Sequence, residues 1–393
     1  MSSCQLVIIA DDLSGALDTA APFAARGADA RVVISLEALA TTLETWQGQW
    51  PVVIAVNTES RHLPAEAAAL RVSEAVRLLT RVAPQQWFKK VDSTLRGQVV
   101  AECKALREAL GLPLLLAPAV PAQGRLVRNA EVWVDGTPLA DTTYQQDARS
   151  TPLVGPIDRA FDASGLPLQR YQPGRDVPLP REDCIADAES DEELSALYQC
   201  VLSAGDRWAM AGAAGLATAM AKNLCGSTDA PFHSLDSIEN VLYAVGSRSP
   251  RAAEQFQLLR QLLPDLAVIE ASGETHLHSA MGVCAVVPGE DGKDKERTAS
   301  QVAEAMAAQV DEITSAWRSE KARLLFLTGG DIAMAVLSQQ GVSYINVESE
   351  WSPGVALGYM DGDKRRRVMT KAGGFGDPQL LVRLHEQLTP PSE

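Results

Sequence analysis

Several familiar chemistries are missing from this sequence. The six cysteines (Cys4, Cys103, Cys184, Cys200, Cys225, Cys284) include no CxxC pair and have no histidine at zinc spacing, which argues against structural zinc. None of the five histidines sits in a catalytic motif, and His62 beside Arg61 reads as a bystander. Neither the Walker pattern GxxxxGK with Ser or Thr next nor GxGxxG occurs, so the P-loop and dinucleotide fingerprints do not apply. Apolar runs such as Pro113 to Pro121 are far too short to span a bilayer. Lys and Arg number 35 against 50 Asp and Glu, for a net charge of −15, which argues against a nucleic-acid or anionic membrane surface. No targeting segment precedes the first strand, so the expectation is a cytoplasmic protein with free, buried thiols.

What is present is ample material for two cores. The chain has 393 residues, 46% of them apolar and 22% charged, and exceeds the usual single-core limit. The first half alternates continuous β-branched runs with helical patterns: Leu6 to Ala10, Ala30 to Ser35, Val52 to Val56 and Leu114 to Pro118 read as strands. Ser14 and Gly15 open the first helix, with Gly27 as its C-cap, and Asp135-Gly136 reads as a hairpin turn. Trp208 to Ala211 is a further strand. The polar loop Gly226 to Asp236 marks a boundary, after which Val241 to Val245, Ala267 to Glu270, Val283 to Val287 and Leu324 to Leu327 restart the pattern. Gln145 to Thr151 and Gly289 to Lys295 read as polar loops. The expectation is an α/β protein of two domains, 1–232 and 233–393, each with a mainly parallel sheet flanked by helices.

The stretch Phe88-Lys-Lys-Val-Asp-Ser-Thr-Leu-Arg-Gly97 turns from a strand end into dense charge just before a helix, where open α/β sheets place ligand chemistry. Under a parallel topology Asp11, Asp12, Arg61, Lys89, Lys90, Asp92, Arg96 and Arg125 all lie just past strand ends, on one edge. In the second half, Gly246-Ser-Arg-Ser249, Thr328-Gly-Gly-Asp331 and Lys371-Ala-Gly-Gly-Phe-Gly376, with Pro353-Gly354, are turns where backbone amides can approach a phosphate. They point to nucleotide binding.

The 88–97 stretch resembles the signature of the four-carbon acid sugar kinases, which phosphorylate threonate, erythronate and oxidised relatives with ATP. Ala10-Asp-Asp-Leu-Ser-Gly-Ala-Leu-Asp18, Asn57-Thr-Glu-Ser-Arg61, Pro118 to Arg125, Leu327 to Asp331 and Lys371 to Gly376 agree in the same order. The resemblance implies a kinase with its acid sugar on the first domain and ATP with Mg²⁺ on the second, reacting in the cleft between them to give a 4-phosphate. A hydroxy acid offers a carboxylate and hydroxyls: Arg61, Lys89 or Lys90, and Arg96 suit the first, while Asp11, Asp12 and Asp92, with Ser93, suit the second. Asp12 or Asp92 is the expected base; Asp331 is the alternative, or a magnesium ligand. Asp18, further along its motif, reads as structural. The resemblance implies that ATP is held by Ser247 or Ser249, the segment Gly354, Val355, Ala356 and Leu357, and Gly373, beside Gly329, Gly330 and Gly374. No protein metal set is assigned and a homodimer is left open. Two departures, Gly212-Ala-Ala-Gly215 in place of a serine and Pro250-Arg251-Ala252 without a threonine, delete no element. The competing readings are an NAD-linked hydroxy-acid dehydrogenase, weakened by the missing GxGxxG, and a non-catalytic acid-sugar sensor.

Overall fold

The computed structural model describes residues 3–146, 150–174, 178–205, 207–226, 235, 238–271, 282–289, 297–318 and 320–388. The expected boundary loop and the charged loop after residue 289 lie almost wholly outside the described residues, as does the middle of the polar stretch 145–151. The chain divides into two compact units, Met1–Ala230 and Pro231–Glu393.

In the first unit, β1 (Leu6–Ala10), α1 (Leu13–Ala24), β2 (Ala30–Val33), α2 (Leu36–Thr45), β3 (Val53–Asn57), α3 (Ala65–Leu79), β4 (Gln86–Lys90), α4 (Val99–Leu110) and β5 (Leu114–Ala117) alternate as expected. The chain continues through β6 (Arg125–Arg128), β7 (Glu131–Val134), β8 (Thr137–Pro138), α5 (Ile157–Ala163), β9 (Gln169–Tyr171), β10 (Cys184–Ala186), α6 (Asp191–Ala204), β11 (Ala209–Gly212) and α7 (Ala214–Cys225). The sheet order β2-β3-β1-β4-β11-β5-β10-β9 is parallel throughout. All five residues of β1 are buried, as a continuous apolar run between two neighbours requires. β6, β7 and β8 form a separate antiparallel ribbon, with Asp135 and Gly136 both at positive φ in its turn.

Some expectations shift. The first helix opens one residue early because Asp12 serves as its N-cap, accepting from the Gly15 amide at 2.8 Å, and it ends at Ala25 rather than Gly27. Lys89 and Lys90 are the last residues of β4, not a loop beyond it. Cys200 and Cys225 are half-buried, while the other four thiols are buried.

The second unit holds β12 (Ile238–Val245), α8 (Pro250–Leu262), β13 (Ala267–Glu270), β14 (Val283–Val287), α9 (Ala299–Ala316), β15 (Ala322–Thr328), α10 (Gly330–Gln339), β16 (Tyr344–Ser352), β17 (Val355–Met360), β18 (Arg366–Lys371) and α11 (Leu380–Leu388). β13-β14-β12-β15-β18 is parallel, and β17 then β16 extend it antiparallel. Thr298 and Gln301 close a reciprocal capping box on α9. Pro353-Gly354 is the turn of the β16–β17 hairpin, with Gly354 at φ 75°. Its core gathers Tyr243, Phe326, Leu357, Met369 and Leu384. Among the described residues no helix is long and apolar enough to cross a membrane.

Candidate active site

In the first sheet the chain leaves β1 toward β3 and β2, then crosses to β4 on the other side. The carboxyl ends of β1 and β4 therefore flank the point where the winding reverses, the place ligands occupy in open α/β sheets. Ala10, Asn57 and Lys90 stand level in register. Beyond that line the Ser60 and Arg61 amides both donate to the Asp11 carbonyl, at 3.0 and 3.3 Å. This backbone wiring sets Arg61 beside Asp11 and Asp12.

The Arg61 guanidinium forks between two carboxylates. Its Nε and Nη2 donate to Asp11 at 2.7 and 2.9 Å, and its Nη1 and Nη2 to Asp12 at 2.8 Å each. Asp92 Oδ1 lies 3.7 Å from Nη2. Arg96 returns to Asp92 bidentately, Nε at 3.0 Å and Nη2 at 2.9 Å, while the Thr94 amide adds a third donor at 3.1 Å. Gly97 permits this closeness: a Cβ there would stand 3.1 Å from Asp11 Oδ2. Glu59 and Leu95, in the loops that carry Arg61 and Arg96, hold left-handed backbone, the kind of local strain found at functional sites.

Burial disfavours the charged form of Asp11, but Arg61 and Lys89 outweigh it and hold the carboxyl below its ordinary value. Asp92 is likewise held far down, with Arg61 and Arg96 overcoming its burial. Adjacent residues of β4 point to opposite faces. Lys89, fully buried, pairs with Glu102 of α4 at 3.2 Å, and Ser60 donates its hydroxyl to that same carboxylate. Burial pushes the Glu102 carboxyl up, against the pull of Lys89. Lys90 turns to the α1 side, its Nζ donating to the Val91 carbonyl at 2.8 Å. Ser93 is half-buried on the same loop, and Arg125 donates to Tyr144 at 3.2 Å.

The second sheet reverses its winding between β12 and β15, and Val245, Thr328 and Lys371 stand level across β12, β15 and β18. Each is followed by one of the three glycine turns. The Gly329 amide donates to the Lys371 carbonyl at 2.9 Å, with Gly329 at φ 103°. A Cβ on Gly373 would meet Ser247 Oγ at 1.8 Å and Ser249 Cβ at 3.4 Å, so two of the turns are pressed together there. Gly374 faces open space. Thr328 carries a buried hydroxyl with no partner among the described residues. An unfilled acceptor site beside open glycine backbone fits a nucleotide's polar groups.

The structure thus gathers Asp11, Asp12, Arg61, Asp92, Ser93 and Arg96 at one switch point. It gathers Ser247, Ser249, Gly329, Gly330, Asp331, Gly373 and Gly374 at the other, Gly330 and Asp331 opening α10. Val355, Ala356 and Leu357 lie inside β17, with Val355 and Leu357 in the core and the backbone paired on both sides. Gly354 abuts Phe375 of the third turn. The sequence marks Lys371 only as the start of its turn, with no role of its own, yet its buried ammonium donates to the carbonyls of Ala372, Gly373 and Phe375 at 3.2, 2.9 and 3.1 Å. Burial and then Arg251 push its pKa down to about 8. Sequence reading passed over Gln255, which ties the same turn at Phe375 and Asp377. A lysine closing a strand just before a glycine turn was the available signal for the first; Gln255, distant in sequence, gave none.

A family model described as the sugar-binding N-terminal domain matches residues 6–157, and one described as the nucleotide-binding C-terminal domain matches 242–381. A D-threonate kinase of Cupriavidus necator is 31% identical over 98% of this chain and 98% of its own. A D-erythronate kinase of Heliobacterium modesticaldum is 25% identical over 95% of this chain and 94% of its own. Among solved structures, a Bordetella bronchiseptica protein, a domain-swapped dimer with bound citrate, shares 27% identity and a TM-score of 0.52, covering 98% of each chain.

Proposed function

The chain belongs to the four-carbon acid sugar kinase family, and from that premise we propose that it transfers the terminal phosphoryl group of ATP to the terminal hydroxyl of threonate, erythronate or an oxo-tetronate, giving the 4-phosphate. The observation that carries this reading is the charge network at the first switch point: two carboxylates held by one arginine, beside an arginine still 30% exposed. A four-carbon hydroxy acid presents a carboxylate and vicinal hydroxyls, the complement of that set.

Arg96, the more accessible cation, grips the substrate carboxylate, with Lys90 and Ser93 beside it. Arg61 is spent on Asp11 and Asp12; it fixes these two aspartates so that their remaining lone pairs accept from the substrate hydroxyls. Lys89 supports the site from beneath, since its ammonium is buried against Glu102 and cannot reach a ligand. Asp92, twice bonded by Arg96 and held far below its ordinary value, is too weak a base for the proton its position first suggested.

The nucleotide belongs to the second unit, with Ser247, Ser249, Gly329, Gly330, Gly373 and Gly374 presenting backbone and hydroxyl donors to it, and Gly354 steadying the third turn through Phe375. No group of three or more candidate metal ligands occurs among the described residues. Mg²⁺ needs only one or two carboxylates once phosphates supply the rest, and Asp331 in the first turn of α10 fits that demand. The ion would neutralise charge on the transferring phosphate. The domain-swapped Bordetella relative supports a homodimer, which light scattering in solution can check.

A coupled ADP-release screen over four-carbon sugar acids tests the reading. Turnover is expected with at least one tetronate and none with reduced or oxidised nicotinamide cofactors. Tetronate binding without ADP release would favour a sensor instead.

A further inference from the structure

The geometry points to Asp18 as the group that accepts the proton from the substrate hydroxyl, an inference that rests on the kinase reading above. Helix α1 is buried on every side but one: of its twelve residues, only Ser14 and Asp18 are not buried. Their i, i+4 spacing puts them on a single face. The helix starts from its N-cap Asp12, itself a member of the charge network. Lys90 and Arg125 act on Asp18 as opposite charges, and Asp12 and Asp92 as like charges. Gly15, one turn before Asp18, sits where a Cβ would be 3.3 Å from Lys90 Nζ.

The other carboxylates here are occupied. Asp11 is bidentate to Arg61, Asp12 bonds Arg61 and caps α1, Asp92 is bidentate to Arg96, and Glu102 is buried against Lys89 and Ser60. No hydrogen bond or ion pair closes on Asp18 among the described residues. Burial raises its carboxyl above the ordinary value, against the pull of Lys90, whereas arginine pairing lowers Asp11 and Asp92. A half-buried carboxylate with no bridge to it, and raised where Asp11 and Asp92 are lowered, is suited to general-base work. As the substrate oxygen forms its bond to the terminal phosphorus of ATP, its proton passes to Asp18. The bond from that phosphorus to the β–γ bridging oxygen breaks, and ADP departs.

The test is Asp18→Asn in the full chain, beside wild type, on whichever tetronate wild type turns over. The expected result is a fall in kcat of roughly 10²- to 10⁴-fold, with both KM values within about threefold and the acid limb of the kcat–pH profile abolished. A kcat within about tenfold of wild type, or a loss carried wholly by KM for the acid, overturns the assignment and leaves the kinase reading standing. Should Asp18→Asn fail to fold, Asp18→Glu decides: a displaced acid limb supports the role, and an unmoved one overturns it. Wild type inert on every tetronate would overturn the kinase reading, and this inference with it.

Discussion

The two units wind their first four strands alike, β2-β3-β1-β4 in one and β13-β14-β12-β15 in the other, yet fill the reversal point with opposite chemistry. The first fills it with side-chain charge, three aspartates and four cations within three loops and a strand end. The second fills it with glycine turns drawn together by backbone bonds and one buried lysine. One topology supplies the concavity, and the loop residues decide what it holds. Fixed arginine–aspartate forks suit a small polyol acid that must be read group by group. Open backbone suits a phosphate chain, which every nucleoside triphosphate presents alike.

The sharpest way to break this contrast is Arg61→Ala. It strands Asp11, only 2% exposed, as an unpaired buried charge. Breaking a buried pair costs about 3–5 kcal/mol, so a lower melting temperature should accompany a loss of acid-sugar affinity above roughly 100-fold. Full affinity with normal stability would show that the fork is dispensable. Arg96→Ala should act more narrowly, because its partner Asp92 keeps Thr94 and the neighbouring Arg61. Removing a charge-assisted bond worth ~1.5–3 kcal/mol should weaken acid binding about 10- to 150-fold by calorimetry, with ATP affinity unmoved. Equal weakening of both ligands would make Arg96 structural.

The smallest effect is expected from Lys371. Its folded value of about 8 lies below the value of an unfolded lysine, ~10.4. The unfolded chain therefore holds the extra proton between these two pH values, and stability from this group rises with pH across that window. The turn meanwhile loses one of three N–H donors. ATP affinity should fall by less than about tenfold from about pH 7 to about pH 9 while acid-sugar affinity stays flat, and Lys371→Gln should lose the response. A response confined to the acid sugar would assign the titration elsewhere.

Much of this was legible beforehand. Buried parallel strands announce themselves as continuous apolar runs, and Leu6 to Ala10 or Leu324 to Leu327 could hardly be anything else. Short or polar strands did not: β9 carries Gln169 and Arg170 exposed, and β16 runs through Glu348 and Glu350, so neither offered a run to read. The site residues were legible as a set because strand ends collect on one edge. Their roles were not. Whether Lys89 or Lys90 faces a ligand depends on strand phase, and Lys89 proved to be buried beneath. Asp18 reads as structural from its place one helical turn further along its motif, and only the burial pattern of α1 shows that it lies on the helix's one open face. The motif marks Gly373 as a residue close to ATP, but not that its missing side chain also makes room for Ser247.

That last glycine gives the most direct test of the division of labour. Gly373→Val would drive a side chain into Ser247 and separate two of the three turns, whereas Gly374→Ala meets no atom within 4 Å among the described residues beyond its chain neighbours. Calorimetric titration of each variant with ATP and, separately, with the acid sugar distinguishes the units. The account predicts that Gly373→Val loses ATP binding and keeps acid-sugar affinity within about twofold, while any ATP loss in Gly374→Ala comes with an unchanged melting temperature. Normal ATP affinity in Gly373→Val, or a loss confined to the acid sugar, would contradict it.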